Sequence, residues 1–289
     1  AFPHRLTLAQ HKAVSASLQD IHAEVQEVLD LLCTQYGKAD DNARHARKLK
    51  TGALSGNRFA IVLRDCQGDP GAVIGAMNFR DGALRHGEEI RTRGVPNYFG
   101  EQRFGHGGGN VAAARAMFAG SGSPRDRKQG GIYLSAARSL VFNEVLARRV
   151  TAGTWNQAVD GDAMILSGSR SFFVPEIIDE TIRRRLAEGD IHPSGPLWGR
   201  GDLPTKSAVR ELEAAAASEH PDLVRGLEAA GLEQERRALR VIPQEFNAQW
   251  LDATTLSLAF VLPPGSYATM VLRELADYRD AAAAAWGEE

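Results

Sequence analysis

The sequence predicts an α/β chain of the α+β kind, with one sheet built from strands near both ends and a helix-rich middle inserted between them. Three stretches carry that expectation. Gly56–Arg64 alternates as a strand, with Asn57, Phe59, Ile61 and Leu63 on one face and Ala60 and Val62 on the other. Leu256–Leu262 is a second apolar strand, turned by Pro263-Pro264-Gly265 into a helix from Ser266. Between them, Leu134–Val150 sets Leu134, Ala137, Val141 and Val145 on one helical stripe. Phe142 and Leu146 widen that stripe, and Arg138, Arg148 and Arg149 lie off it.

The remaining elements follow from period and punctuation. Ala13–Leu32 reads as a helix through Val25, Val28, Leu29 and Leu32, and Tyr36–Asn42 as a loop. Residues 71–93 read as a helix that stops before Gly94, and Asn110–Phe118 as a helix capped by Asn110. Residues 120–131 read as a surface connection. Residues 155–174 read as short strands around Asp160-Gly161-Asp162 and Ser167-Gly168-Ser169, the two acids serving as turn formers. Residues 176–188 are helical by pattern and carry Arg183-Arg184-Arg185. His192–Gly201 reads as an irregular loop anchored by Trp198, and residues 207–240 as helix broken at Pro221 and Gly231. On the C-terminal helix, Tyr267, Val271, Leu275 and Tyr278 share an apolar face while Arg273 points elsewhere.

Composition narrows the function classes. The 289 residues are 43% hydrophobic and 24% charged, values of an ordinary globular chain. No apolar run reaches the length of a membrane span, and no charged-then-apolar leader pattern opens the sequence, so a cytoplasmic home is expected. Cys33 and Cys66 supply neither a disulfide framework nor a zinc set, and the histidines are scattered, so no metal is expected. A net charge of −2 argues against an all-over basic nucleic-acid binder and leaves room for a local basic patch.

Candidate site residues cluster in two places. Arg44, Arg47, Lys48 and Lys50 stand together without an acid, which suits a solvated face and a phosphate contact equally well. The stretch Gly94–Gly109 sets Tyr98, Phe99 and Phe104 among glycines around Gln102-Arg103. Aromatics beside an arginine can stack on nucleobases, or simply fill core. The run Gly107-Gly108-Gly109 lacks the lysine and hydroxyl of a phosphate-binding loop.

Taken in order, several motifs resemble the TruD family of tRNA pseudouridine synthases. They are Arg44-His45 with Arg47-Lys48-Leu49, Gly52-Ala53-Leu54 with Gly56-Asn57 and Phe59, and Val95-Pro-Asn-Tyr-Phe-Gly-Glu-Gln-Arg-Phe-Gly105. Further on come Leu134-Ser-Ala-Ala-Arg-Ser139 with Phe142-Asn143, Gly161-Asp162 and Pro196-Leu-Trp-Gly199. Leu262-Pro-Pro-Gly-Ser-Tyr-Ala-Thr269 with Arg273-Glu274 completes the set.

The resemblance implies a pseudouridine synthase fold with a mainly antiparallel sheet. Residues 1–93 and 242–289 would form the catalytic domain, and 94–241 an inserted helix-rich TRUD domain. It implies a monomeric isomerase that converts a uridine of tRNA to pseudouridine without cofactor or metal. Phe59 would stack on the flipped uracil, Asn57 would hold the site, and Arg273 would be the basic partner of the catalytic aspartate. Arg44, His45, Arg47, Lys48 and Lys50 would meet the tRNA, with Asn97, Phe99, Gln102, Arg103 and Arg138 as further substrate contacts.

One departure stands out. The family's aspartate lies in a Gly-x-Lys-Asp-(Arg/Lys)-x-Ala motif upstream of the segment matching Gly56-Asn57, and the sequence holds no such motif. Gly37-Lys-Ala-Asp-Asp41 has the residues in order but lies too close to Arg44. Either a segment of the whole protein is missing from this chain, or the chain is a tRNA-binding relative without catalysis. Survival of Asn57, Phe59 and Arg273 favours the first. If the basic cluster meets RNA, neutralising Lys48 and Lys50 will weaken tRNA binding and flatten its salt dependence, measured by titration across KCl concentrations.

Overall fold

The computed structural model describes residues 6–8, 56–67 and 79–277. The first elements are β1 (Leu6–Leu8), β2 (Asn57–Leu63), β3 (Cys66–Gln67), α1 (described from Phe79 to Arg93) and β4 (Val95–Pro96). Two 3-10 turns follow, Glu101–Arg103 and His106–Gly108, then α2 (Gly109–Phe118) and α3 (Arg127–Thr151). The hairpin β5 (Met164–Leu166) and β6 (Phe172–Phe173) precedes α4 (Glu180–Ala187) and β7 (Ile191–Leu197). Helices α5 (Ser207–Ser218) and α6 (Pro221–Ala229) lead to β8 (Glu235–Ala238) and β9 (Arg240–Val241). The last are β10 (Gln244–Trp250), β11 (Leu256–Leu262), α7 (Ala268–Leu275) and β12 (Ala276–Asp277).

The two strands legible in the sequence pair directly. β11 is the centre of an antiparallel sheet ordered β10-β11-β2, in register from Leu256 opposite Leu63 to Leu262 opposite Asn57. Its alternation decides which face is core: Leu256, Leu258, Phe260 and Leu262 are buried, while Ser257, Ala259 and Val261 are partly exposed. Val271, Leu272 and Leu275 of α7, with Ile90 of α1, close over that face. β1 runs parallel to β12 and antiparallel to β3.

A second antiparallel sheet, ordered β6-β5-β7-β8, carries α3 across β7, and α2, α5 and α6 pack around α3. β7 corrects the expected loop over His192–Gly201: Ile191–Leu197 is a buried central strand despite Pro193, Gly195 and Pro196. The prolines are tolerated because neighbouring groups carry the ladder. Ser194 N–H donates to the Ala163 carbonyl at 3.1 Å, and Leu239 N–H donates to the Pro193 carbonyl at 2.8 Å. Gly195 is a packing requirement, since a Cβ there would stand 2.9 Å from Leu239 Cδ2 and 3.1 Å from the Phe142 ring.

Other differences come from tertiary pairing that local pattern does not display and from local capping. Glu235–Ala238 and Arg240–Val241 are strands at the end of the stretch expected as helix to residue 240, and Gln244–Trp250 is a strand the pattern left unread. α3 begins at Arg127, inside the expected connection, because the Asp126 carboxylate accepts from Gln129 N–H at 2.8 Å. Asn110 lies inside the first turn of α2 rather than capping it, and its Nδ2 donates to the Arg103 carbonyl at 3.2 Å. Arg149, off the apolar stripe, is nonetheless buried, held to Asp162 at 2.7 and 3.0 Å. Arg236 is likewise buried against Glu213, at 3.0 and 2.7 Å. Removing one member of such a pair strands the other charge, at a cost of about 3–5 kcal/mol. The expected helix at Ala13–Leu32 and the loop at Tyr36–Asn42 lie outside the described residues.

The chain enters and leaves its middle segment at one place. β4 and β9 pair antiparallel, Val95 opposite Val241 and Pro96 opposite Arg240. Gly94 takes φ +76° there, and a Cβ would meet the Val241 carbonyl oxygen at 2.5 Å, so the crossing needs glycine.

Beside this crossing His192 is buried, and its Nδ1 accepts from Arg240 Nε at 2.9 Å. Burial, with the Arg240 charge, lowers the imidazole pKa from 6.5 to about 4. The folded state therefore resists a proton that the unfolded chain accepts, and stability falls as pH drops from 6.5 towards 4. The loss from this group should reach up to ~3 kcal/mol at ~1.4 kcal/mol per pH unit. Urea titrations across that range should show it, and His192→Asn, which keeps an acceptor for Arg240, should flatten the profile.

Candidate active site

Three sequence-distant segments meet at one end of the β10-β11-β2 sheet. β11 leaves the sheet at Leu262, opposite Asn57, and Gly56 lies so close that a Cβ would sit 2.9 Å from the Leu262 carbonyl oxygen. Pro263–Gly265 then turns the chain, closed by Ser266 N–H donating to the Pro263 carbonyl at 3.2 Å. The Asn97–Phe104 stretch lies against this turn and the start of α7. A Cβ on Gly100 would stand 2.9 Å from Tyr267 Cδ1 and 3.3 Å from Thr269 Oγ1, so glycine allows the contact.

Polar groups fasten the junction. Asn97 is buried; its Nδ2 donates to the Ala238 carbonyl at 3.0 Å, and its Oδ1 accepts from Arg237 Nη2 at 2.7 Å and Ser266 Oγ at 3.3 Å. Arg237 Nη2 also donates to the Gly265 carbonyl at 3.0 Å, tying β8 to the turn. The Arg237 guanidinium stacks over Phe99, 4.1 Å from the ring centroid, and Arg103 approaches the same ring at 5.3 Å. Arg103 Nε donates to Tyr267 Oη at 3.0 Å and its Nη1 to Ser135 Oγ at 2.9 Å. Phe99 itself is pinned by Asn143, whose Oδ1 accepts from Phe99 N–H at 2.9 Å while Nδ2 donates to the Phe99 carbonyl at 3.0 Å.

Burial sets the local proton affinities. It lowers the Arg237 pKa to about 10, with Arg103 adding to the effect and Tyr267 opposing it. It pushes the Tyr98 hydroxyl up to about 12, the Arg273 charge working the other way and Glu274 and Glu144 reinforcing it. Tyr98 thus records Arg273, on α7, as a neighbour.

The expected residues distribute as follows. Asn57 is exposed at the first position of β2, and Phe59 is half-buried, its ring 5.6 Å from that of Phe260 and tilted by 33°. Arg273 is exposed and makes no ion pair among the described residues. Asn97, Phe99 and Arg103 belong to the junction just described, and Gln102 is exposed on its 3-10 turn. Arg138 lies elsewhere, with Nε donating to the Trp198 carbonyl at 2.8 Å and Nη2 to the carbonyls of Leu197, at 2.9 Å, and Glu233. Arg44, His45, Arg47, Lys48 and Lys50 lie outside the described residues. The junction residue that pattern missed is Arg237. Arg236-Arg237 sits in a stretch read as helix; read as a strand, the two arginines face opposite sides.

A separate polar cavity of about 180 Å³ opens at the other end of α7, lined by His86, Glu89, Arg93, Trp155, Asn156 and Glu274 among others. His86 Nε2 and the Glu274 carbonyl lie 2.7 Å apart at its wall. Among the described residues no group of three or more His, Cys, Asp or Glu side chains gathers to hold a metal, and no helix is long and apolar enough to cross a membrane.

These motifs and their convergence match known proteins. A family model described as tRNA pseudouridine synthase D (TruD) covers residues 13–121 and 123–275. The chain belongs to the tRNA pseudouridine synthase D family. A relative of that name from Xanthomonas campestris pv. campestris (strain B100) is 50% identical over 251 residues, which are 82% of this chain and 66% of the relative. Another, from Hydrogenovibrio crunogenus, is 48% identical over 232 residues, 80% of this chain and 64% of the relative. The chain thus spans just under two thirds of the length of these two relatives. A solved structure from Methanosarcina mazei, named for TruD, superposes with a TM-score of 0.58 at 18% identity over 95% of this chain and 82% of its own. The fold is the α+β pseudouridine synthase fold.

The junction depends on Asn97, whose carboxamide serves three partners. Asn97→Ala should cost about 2–4 kcal/mol, because it removes a bond to a charged donor and leaves buried groups unpaired. A lowered urea midpoint with unchanged secondary structure would show it. Asn97→Asp, which keeps an acceptor for Arg237, should lose less.

Proposed function

We propose that this chain isomerises a uridine of tRNA to pseudouridine, as an intramolecular transferase. The observation that carries the reading is that three of the family's signature segments, Gly56-Asn57, Asn97–Phe104 and Leu262–Thr269, though far apart in sequence, meet at one end of the sheet. The reaction is redox-neutral. The N1–C1′ bond breaks, the uracil turns, C5 bonds to C1′, the C5 proton leaves and N1 takes one up. Product and substrate are isomers, so no cofactor or metal is called for. The reacting atoms are shielded in a stacked helix, so the nucleotide must be flipped out.

In this reading Phe59 is the platform for the flipped uracil and the exposed Asn57 holds it at the strand's start. Arg273 stands ready to pair with a carboxylate nucleophile. Gln102 and the basic cluster Arg44, His45, Arg47, Lys48 and Lys50 face the tRNA, while Asn97 and Phe99 build the wall from behind; Arg138, bound to the ends of β7 and β8, has a structural role. Residues 94–241 form an inserted domain, with 1–93 and 242–289 as the catalytic domain. Two facts support that division: the β4–β9 pairing at the crossing, and the buried cluster around β11, which draws only on residues up to Val95 and from Val241 onward. The protein acts as a monomer in the cytoplasm.

A second reading, a tRNA-binding relative without catalysis, is favoured by the absent aspartate motif and by Arg273 lacking an acid among the described residues. Incubation of the chain with unmodified tRNA, followed by pseudouridine mapping, separates the two: bound tRNA without product supports the second. Where product forms, Phe59→Ala should lower turnover on the order of ten- to a hundredfold, the worth of one stacked base, with a smaller change in tRNA affinity.

A further inference from the structure

We infer that Arg103 and Arg237, set against the Phe99 ring, form a binding site for a backbone phosphate of the RNA next to the flipped uridine; this rests on the RNA substrate proposed above. Two observations carry it. First, the cations are unbalanced: among the described residues neither Arg103 nor Arg237 makes an ion pair, and each stands near the other. The adjacent Arg236 and the nearby Arg149 each have a buried carboxylate at 2.7 Å. Partly buried like charges without an acid are costly unless an anion is supplied from outside.

Second, each guanidinium keeps a donor unused. Arg103 spends Nε and Nη1 on Tyr267 and Ser135, leaving Nη2 without a partner in the protein. Arg237 spends Nε and Nη2 on Asn97 and Gly265, leaving Nη1. Neither free nitrogen is among the fully buried atoms lacking a partner, so neither is sealed from solvent. Unused donors on side chains already fixed by carbonyl, hydroxyl and ring contacts are preorganised for an oxyanion. Gly265, which fixes Arg237, lies three residues beyond Leu262, the partner of Asn57, so the site borders the proposed uracil platform.

A simple alternative is that both arginines are struts, their charge incidental. Salt dependence separates the two. Affinity for unmodified tRNA should be measured against KCl concentration for the unaltered chain, Arg103→Gln, Arg237→Gln and Arg237→Lys, with thermal melts alongside. A phosphate contact predicts about tenfold weaker binding for each Gln variant at low salt, and a shallower slope of log K against log salt by about 0.7–0.9. Arg237→Lys should keep the slope. Weaker binding with an unchanged slope, or unchanged binding by a folded Arg103→Gln, overturns the site. If Arg237→Gln does not fold, Arg103→Gln decides alone. Failure of the unaltered chain to bind tRNA at any salt would sink the RNA reading and this site together, whereas binding with unaltered slopes sinks only the site.

Discussion

The Asn97 carboxamide is the contact on which the candidate site depends. It joins β8, through Ala238 and Arg237, to the turn at Ser266, segments 140 and more residues away in sequence. An amide is suited to this because it offers donors and acceptors at once and carries no charge to desolvate. Asn97 also follows directly on the β4–β9 crossing. The same short segment therefore sets where the middle of the chain begins and where the β11–α7 turn lies. Phe99 and Arg103 inherit their positions from that anchor.

Arginine has three different roles around this anchor, and burial with its compensation tells them apart. Arg149 and Arg236 are buried with carboxylates and fix the second sheet to its helices. Arg138 is held by backbone carbonyls and by the Glu235 carboxylate at 3.4 Å, and clips the ends of β7 and β8 together. Arg237 and Arg103 are held by neutral groups and rings, which orient them without cancelling their charge. The first two arrangements are complete in themselves. The third leaves two neighbouring guanidinium groups without an ion pair among the described residues.

The legible parts of the fold were those in which one face decides everything. β2, β11 and α3 follow a simple period because each lays one apolar side on a core. β7 was hidden because its two prolines and its glycine imitate a loop, while the ladder runs through Ser194 and the Pro193 carbonyl. β8 was hidden because its charges, Glu235, Arg236 and Arg237, lack any apolar alternation; each arginine is held by partners from outside the strand. At the site, Asn97, Phe99 and Arg103 stood out as unusual text, but their grouping with the turn after β11 depends on long-range contacts. Arg237 had no local signal beyond its place beside Arg236.

The position of Arg273 bears on the missing carboxylate. It is exposed on α7, near the half-buried Tyr98, whose hydroxyl its charge influences. An exposed arginine without an acid costs little, because water solvates it. Among the described residues Arg273 has no ion pair, and its exposure makes that arrangement inexpensive. Demand for an acid comes from the chemistry, since a uridine isomerase needs a nucleophile or proton acceptor facing the base. Asn97, Phe99 and the turn after β11 keep their arrangement through their own contacts, so an acid facing the base would be needed for the chemistry and not for the shape of this junction.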